Sequence, residues 1–426
     1  MISERQWTIL LYMAGDNGKT FDSKYGKIML MAEMTSAGVT DISEMQKVGS
    51  TDEVAILAQF DTITDAEHTY RLEVQQGPNR DPIVQTIDET NCGDPAVLRD
   101  FIVWGMNYRP AQHYLLVIWN HGMGWKDDDI YAAVRSASRS GSPRAVSRAL
   151  FRTTGQPILE LPDEDTRAIA ADDTSMDFLT NEELKRAIAE AEAQTGQKLD
   201  IIGMDACLMS MAEVQYQLKD LADYMVASQE VEPMAGWPYT EILSRLTAEP
   251  QMSPRDLSAW IVDAYKRSYA PTRAMPQVTQ TAVYLPEMER TGELIRALVE
   301  AALDVDGPLR AAFLDARQSA FAFEDPEYLD LGDLLDRLVE GGMIEDAAVL
   351  DAARSLRERL NVGNGLVVAH SAGGRDRWGR KYEDHTHGVS IYFPMRDISV
   401  FYEDLDFTAT RWADLIRWVN RLPPRS

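Results

Sequence analysis

Apolar residues in this chain fall into short, predominantly apolar runs, separated by longer stretches with helical spacing. Trp7–Ala14, Val54–Phe60, Tyr114–Trp119, Leu199–Met204, Tyr224–Ala227, Thr279–Tyr284, Gly365–His370 and Val389–Phe393 are runs of the first kind. Such runs, bounded by polar residues, read as strands buried on both faces of a mostly parallel sheet. His68–Val74 alternates apolar and polar positions, as a half-exposed strand does. Between the runs lie helical signals. A stretch carrying Met29, Met34 and Met45 reads as helix with methionine as core filler. Asp94-Pro95 opens a helix that continues to about Tyr108, a capping side chain followed by proline at the first helical position. Thr180 with Glu183 forms a capping box ahead of Leu184, Ala187, Ile188 and Ala191, and Gly196 ends that helix. Further helices are expected near Cys207 (Met211, Val214, Leu218), after Ser253-Pro254, and at Trp412, Leu415, Ile416 and Val419. Alternating strands and helices of this kind predict an α/β fold. The expected organisation is a catalytic domain over residues 1–285, a helical subdomain over 286–362, and strands and a helix over 363–426 that return to the core.

In open α/β sheets, chemistry gathers at the carboxyl ends of the strands. The run ending at Trp119 delivers Asn120-His121-Gly122, and the run ending at Met204 delivers Asp205-Ala206-Cys207. Taken alone, a cysteine after a strand is a small buried hydrophobe, and a lone histidine is an ordinary hydrogen-bonded residue. Taken together they supply what thiol catalysis needs: a nucleophile and an imidazole to generate its thiolate. A helix start near Cys207 would lower the thiol's pKa further.

Asn120-His121-Gly122-Met123-Gly124-Trp125 and Asp205-Ala206-Cys207-Leu208-Met209 resemble the histidine and cysteine motifs of the clostripain family of cysteine peptidases, relatives of caspases, gingipains and legumain. Trp7–Asn17, Ser228–Tyr239 and Gly388–Pro394 fit the same family in the same order. The resemblance implies a caspase-like three-layer α/β/α sandwich with a helical subdomain. It implies that Cys207 attacks the scissile carbonyl, that His121 transfers the proton, and that the backbone N–H groups of Gly122 and Cys207 hold the oxyanion. It also makes Asp205 the carboxylate that selects Arg, or Lys, in the substrate; the other reading of Asp205 is the cap of a following helix. An inactive scaffold that binds a basic protein is the alternative function.

Composition narrows the partners. With 42 Lys and Arg against 68 Asp and Glu, the net charge is −26, which argues against nucleic acid and anionic membrane surfaces and in favour of basic protein or peptide substrates. Two cysteines make no disulfide framework, and no basic-then-apolar leader opens the sequence, so the expected location is cytoplasmic. Cys92, in the polar run Asn91–Asp94, reads as an incidental thiol. His385 and His387 lie at strand spacing, but two ligands fall short of a zinc site. The chemistry requires no cofactor. Asp127–Asp129 and Asp172-Asp173 are candidate calcium ligands, since several family members are calcium-stimulated.

Residues 130–159 stand apart from the rest. They contain no Asp or Glu but carry Arg135, Arg139, Arg144, Arg148 and Arg152 among Ser, Gly and Pro. Lying between His121 and Cys207, this stretch reads as a flexible, protease-accessible loop, and the five arginines are candidate self-cleavage sites.

Overall fold

The computed structural model describes residues 5–16, 19–22, 27–30, 33–122, 124–125, 169–172, 175, 177–270, 276–305, 309–363 and 365–421. The chain divides into two compact units, residues 1–206 with 234–254 and residues 207–233 with 255–426. In chain order the first unit holds β1 (Arg5–Gly15), β2 (Lys19–Asp22), β3 (Lys27–Leu30), α1 (Glu33–Met45), β4 (Val54–Thr62), β5 (His68–Glu73), β6 (Ile83–Asp88), α2 (Pro95–Tyr108), β7 (Ala111–Trp119), β8 (Ile169–Asp172), β9 (Asp177–Leu179), α3 (Asn181–Thr195) and β10 (Ile201–Asp205). The second unit begins with α4 (Ala212–Leu218) and β11 (Tyr224–Ala227), after which α5 (Tyr239–Ala248) belongs again to the first.

Four strands of the first unit run parallel in the order β10, β7, β1, β4, and β5 and β6 extend the edge antiparallel. All nine residues of β4 are buried, as are Trp7 to Gly15 of β1. Both faces of these strands are covered, which is why the sequence is predominantly apolar there. Helices α1 and α5 pack together, as do α2 and α3, and both α1 and α2 touch β1. They lie on opposite faces. A Cβ on Gly105 of α2 would meet Leu10 at 2.3 Å, and one on Gly38 of α1 would meet Phe60 at 2.6 Å and Met13 at 3.4 Å. Leu10 and Met13 are three residues apart in one strand, so they point to opposite sides. These are the three layers that the pattern predicts.

The caps are where the residues place them. Asp94 accepts from the N–H of Ala96, with Pro95 first in the helix. Thr180 and Glu183 complete their reciprocal box, and Gly196 takes the left-handed conformation.

The second unit continues with α6 (Pro254–Tyr269), β12 (Val278–Tyr284), α7 (Glu287–Leu303), α8 (Leu309–Ser319), β13 (Tyr328–Asp330), α9 (Leu331–Glu340), α10 (Ala347–Arg359), β14 (Val367–Gly373), β15 (Ser390–Tyr392) and α11 (Trp412–Asn420). Strands β11, β12 and β14 form an antiparallel set, and β13 pairs with β15. Helices α7 to α10 pack on one another, and α11 packs on α7 and α8 through the buried Trp412, Leu415, Ile416 and Val419.

Within the stretch expected as a helical subdomain, Tyr328–Asp330 forms the short strand β13 beside α7 to α10. Two expectations are corrected. Met29 lies in β3, paired with β2, and α1 starts only at Glu33. No helix begins at Cys207: α4 starts at Ala212, and residues 207–211 form a turn and a bridge from Met211 to Ser390. The dipole argument for the thiol therefore falls away.

Candidate active site

Strands β7 and β10 are adjacent and parallel, and their last residues, Trp119 and Asp205, are register partners. The backbone N–H of Asn120 also donates to the Asp205 carbonyl at 3.4 Å. The histidine and cysteine motifs thus leave the sheet from paired strand ends, with His121 and Cys207 each two residues beyond its end.

On the histidine side, the Asn120 side chain bridges two strands. Its amide donates to the Ala14 carbonyl at the end of β1, and its oxygen accepts the N–H of His121. The His121 ring is partly exposed, and desolvation pushes its pKa down. At neutral pH this favours the neutral imidazole, the form that can accept a proton. Gly122 follows, buried, and Trp125 beyond it is fully buried.

On the cysteine side, within the second unit, Cys207 is half-exposed, and its Sγ accepts the N–H of Glu232 at 3.4 Å. The next residue, Leu208, has φ of 60°, a left-handed conformation that costs a branched side chain energy and marks a built turn. The Leu208 N–H donates to the Glu230 carbonyl at 3.3 Å. Glu230 is itself clamped. Its carboxylate accepts from Tyr382 Oη at 2.6 Å, the Val231 N–H at 2.8 Å and the Glu324 N–H at 3.2 Å.

Burial pushes the Glu230 carboxyl up to about 7, against the pull of those donors. An unfolded Glu titrates near ~4.3. Between these values the folded chain keeps a proton that the unfolded chain has lost. The stability this contributes is present in acid and is lost as pH rises through about 7. Glu230→Gln mimics the protonated form and does not titrate. It is expected to leave thermal unfolding near pH ~5 little changed and to raise stability near pH ~8, by up to roughly 3 kcal/mol. Melting curves for variant and parent that stay parallel at both pH values would contradict this.

Asp205 does not cap a helix. Within the first unit it is buried and accepts from Tyr239 Oη at 2.7 Å and from the Trp237 N–H at 3.4 Å. Gly236, at φ of 54°, passes so close that an added Cβ would lie 3.1 Å from Oδ1. A second carboxylate stands nearby, on α1. Asp41 is buried, accepts from Trp119 Nε1 at 2.8 Å, and is pushed up to about 8 by burial and then by the charge of Asp205. A buried acid raised by another acid is poised to ionise when a cation arrives. Asp41 carries no sequence signal, because only the fold brings it to Asp205; Tyr239 ends the family stretch Ser228–Tyr239, but its bond to Asp205 is not marked there.

Other expected residues fall elsewhere. Cys92 lies in a turn and is 1 % exposed; its Sγ donates to Asp61 at 3.4 Å, and its N–H donates to Asp172 at 3.0 Å. Burial raises its pKa, so it is an inert thiol. Asp61 is pushed up to about 8 by burial, then by Glu89, Asp172 and Asp16. His385 and His387 lie outside any strand and turn to different carboxylates, His387 to Asp330 at 2.6 Å and His385 to Asp333 at 3.3 Å. Of the candidate calcium residues only Asp172 is described; Asp127, Asp128, Asp129 and Asp173 lie outside the described residues, as do Arg135, Arg139, Arg144, Arg148 and Arg152.

Comparison with known proteins agrees with this geometry. A sequence model of the Clostripain family matches residues 33–138 and 151–418. Clostripain of Hathewaya histolytica is 26% identical over 263 residues, and the match spans 57% of this chain but only 42% of that protein. A secreted C11 cysteine protease from Bacteroides thetaiotaomicron, solved with an irreversible peptide inhibitor, superposes with a TM-score of 0.64 at 19% identity, over 96% of this chain and 99% of that one. An inactive zymogen C11 protease from Parabacteroides distasonis superposes with a TM-score of 0.62 at 19% identity, over 96% and 98%. These likenesses establish the caspase-like three-layer α/β/α fold. The cytoplasmic expectation is corrected: two Bacteroides thetaiotaomicron structures that the chain resembles are described as secreted. The two free cysteines impose no redox compartment of their own. With its family model matched over most of its length and its motifs on paired strand ends, the chain belongs to the Clostripain family.

Proposed function

We propose that this protein is a cysteine endopeptidase that cleaves after basic residues, Arg or Lys. The observation that carries the reading is the pairing of β7 with β10, from whose ends His121 and Cys207 depart at equal offsets. In this reading His121 takes the thiol proton and the Cys207 thiolate attacks the scissile carbonyl. The backbone N–H groups of Gly122 and Cys207 receive the oxyanion. The acyl-enzyme forms as His121 returns the proton to the leaving amine, and water then releases the new carboxyl terminus. A glycine at position 122 lets the substrate oxygen approach the backbone. Asp205, with Asp41 beside it, supplies the negative charge for a guanidinium or ammonium group.

The reading extends to activation. The acid-free stretch 130–159 offers five arginines between His121 and Cys207, and an enzyme of this specificity would meet them at high effective concentration. One experiment addresses both points: mass spectrometry of the purified chain and of an added substrate protein after incubation. New carboxyl termini are expected at Arg or Lys, and within the chain between His121 and Cys207. A variant with Arg135, Arg139, Arg144, Arg148 and Arg152 all changed to Gln should stay a single chain. Cuts spread over neutral residues would remove the specificity claim. A wild-type chain that stays intact at full activity would remove the activation claim.

A further inference from the structure

The turn that carries Cys207 is held against a second segment of the same unit, residues 228–232. Three contacts join them at alternate positions. The Ser210 N–H donates to the Ser228 carbonyl at 2.8 Å, the Leu208 N–H to the Glu230 carbonyl at 3.3 Å, and the Glu232 N–H to Cys207 Sγ at 3.4 Å. Residues 228, 230 and 232 thus present one edge of their backbone to the nucleophile's turn, as alternate residues of a strand do. The last of the three contacts ends on the reacting sulfur.

This segment lies outside any strand, so no sheet fixes it. Side chains do. Thr279 Oγ1 on β12 accepts the N–H groups of Gln229 and Glu230 at 2.9 and 3.0 Å, and Ser228 Oγ donates to the Glu230 carbonyl at 2.9 Å. Glu230 itself is 2 % exposed. Its carboxyl gathers donors from three places: Val231 beside it, Glu324 ahead of β13, and Tyr382 between β14 and β15. The proton transfers assigned above do not use this carboxyl. Its bonds lead away from the thiol, while its main chain leads to it.

We propose that Glu230 is the positioning residue of the nucleophile. Its side-chain bonds fix the 228–232 backbone so that the Glu232 N–H meets Cys207 Sγ and the Leu208 turn keeps its place. An N–H aimed at sulfur favours the thiolate over the thiol and orients it. No helix starts at Cys207, and this backbone donor takes the part that a helix N-terminus would have played. The inference rests on the peptidase reading and deepens it. The role it gives Glu230 is one of reach, not of charge.

Two variants separate reach from charge. Glu230→Gln keeps the length, an oxygen for the Val231 and Glu324 N–H groups, and an amide that can donate to Tyr382 Oη. Glu230→Asp keeps the charge and loses one methylene of reach. For each, three quantities are measured where unfolding curves show it folded: kcat/KM on an Arg peptide, the inhibition constant of an uncleavable Arg peptide, and the rate at which iodoacetamide alkylates Cys207 at neutral pH, read by mass mapping. Glu230→Gln should match the parent in hydrolysis and peptide binding and alkylate at least as fast. Glu230→Asp should lose roughly 10²-fold in kcat/KM, the effect of a displacement of about 1 Å at the reacting atom. It should alkylate more slowly and still bind the uncleavable peptide as the parent does, a split that a merely structural role would not produce. If Glu230→Asp does not fold, Tyr382→Phe, which removes one donor and keeps the ring, decides: alkylation and hydrolysis should slow together. The proposal is overturned if the folded Glu230→Asp, or in its place Tyr382→Phe, keeps the parent rates, if Glu230→Gln is as impaired as Glu230→Asp, or if hydrolysis falls while alkylation of Cys207 does not. A parent chain that cleaves no Arg peptide would instead remove the peptidase reading, and the alkylation rates would still judge the role of Glu230.

Discussion

Cys207→Ala is expected to abolish hydrolysis of Arg-containing peptides, with turnover down by at least about 10⁴-fold, while the protein stays folded. The thiol is half-exposed and its Sγ accepts the N–H of Glu232. Loss of that bond costs about 1 kcal/mol of stability. The local turn does not depend on sulfur, since the left-handed Leu208 and its bond to Glu230 are backbone features. Cys92→Ala is the matched control. That thiol is buried between Asp61 and Tyr12, with a raised pKa, so its loss should change stability and leave turnover intact. Progress curves with an Arg substrate, beside unfolding curves for each variant, separate the two. Substantial activity in Cys207→Ala would refute the mechanism.

Asp205→Asn is expected to reduce kcat/KM for Arg substrates by roughly 10- to 200-fold, the worth of about 1.5–3 kcal/mol for a charge-assisted pair. Substrates with a neutral residue at the same position should change little. Asparagine keeps an oxygen that can accept from Tyr239 Oη or the Trp237 N–H, so the 236–239 segment stays anchored. Asp41 adds a signature. It titrates near about 8 partly because Asp205 is charged, so neutralising Asp205 lowers that value. In the parent, affinity for Arg substrates should rise as pH passes through about 8 and Asp41 ionises. In Asp205→Asn the rise should move to lower pH. A melting temperature that collapses while Arg preference persists would make Asp205 a structural anchor only.

The sheet is legible because its central strands are buried on both faces, and their runs are predominantly apolar. Two helix starts are legible because Asp94-Pro95 and Thr180 with Glu183 are local chemistry. Strand β6 is not marked because it is short and largely exposed, with Ile83, Val84 and Ile87 set among polar residues. The region after Cys207 misled because Met211, Val214 and Leu218 have helical spacing, yet the chain first makes a left-handed turn at Leu208. Strand-end placement and the family's motifs name His121, Cys207 and Asp205. Glu230 and Tyr239 lie within the family stretch Ser228–Tyr239, but their contacts are not legible there, and Asp41 lies 164 positions from Asp205, a separation no local pattern records.

The most direct measurement of the central claim is covalent labelling with an irreversible thiol-reactive peptide that carries Arg at its recognition position, followed by mass mapping of the modified residue. The account predicts one label per chain, on Cys207, suppressed by a competing Arg peptide, slowed in Asp205→Asn, and absent from Cys207→Ala. Labelling at Cys92, or labelling of Cys207 at equal rates by Arg-bearing and neutral probes, would contradict it.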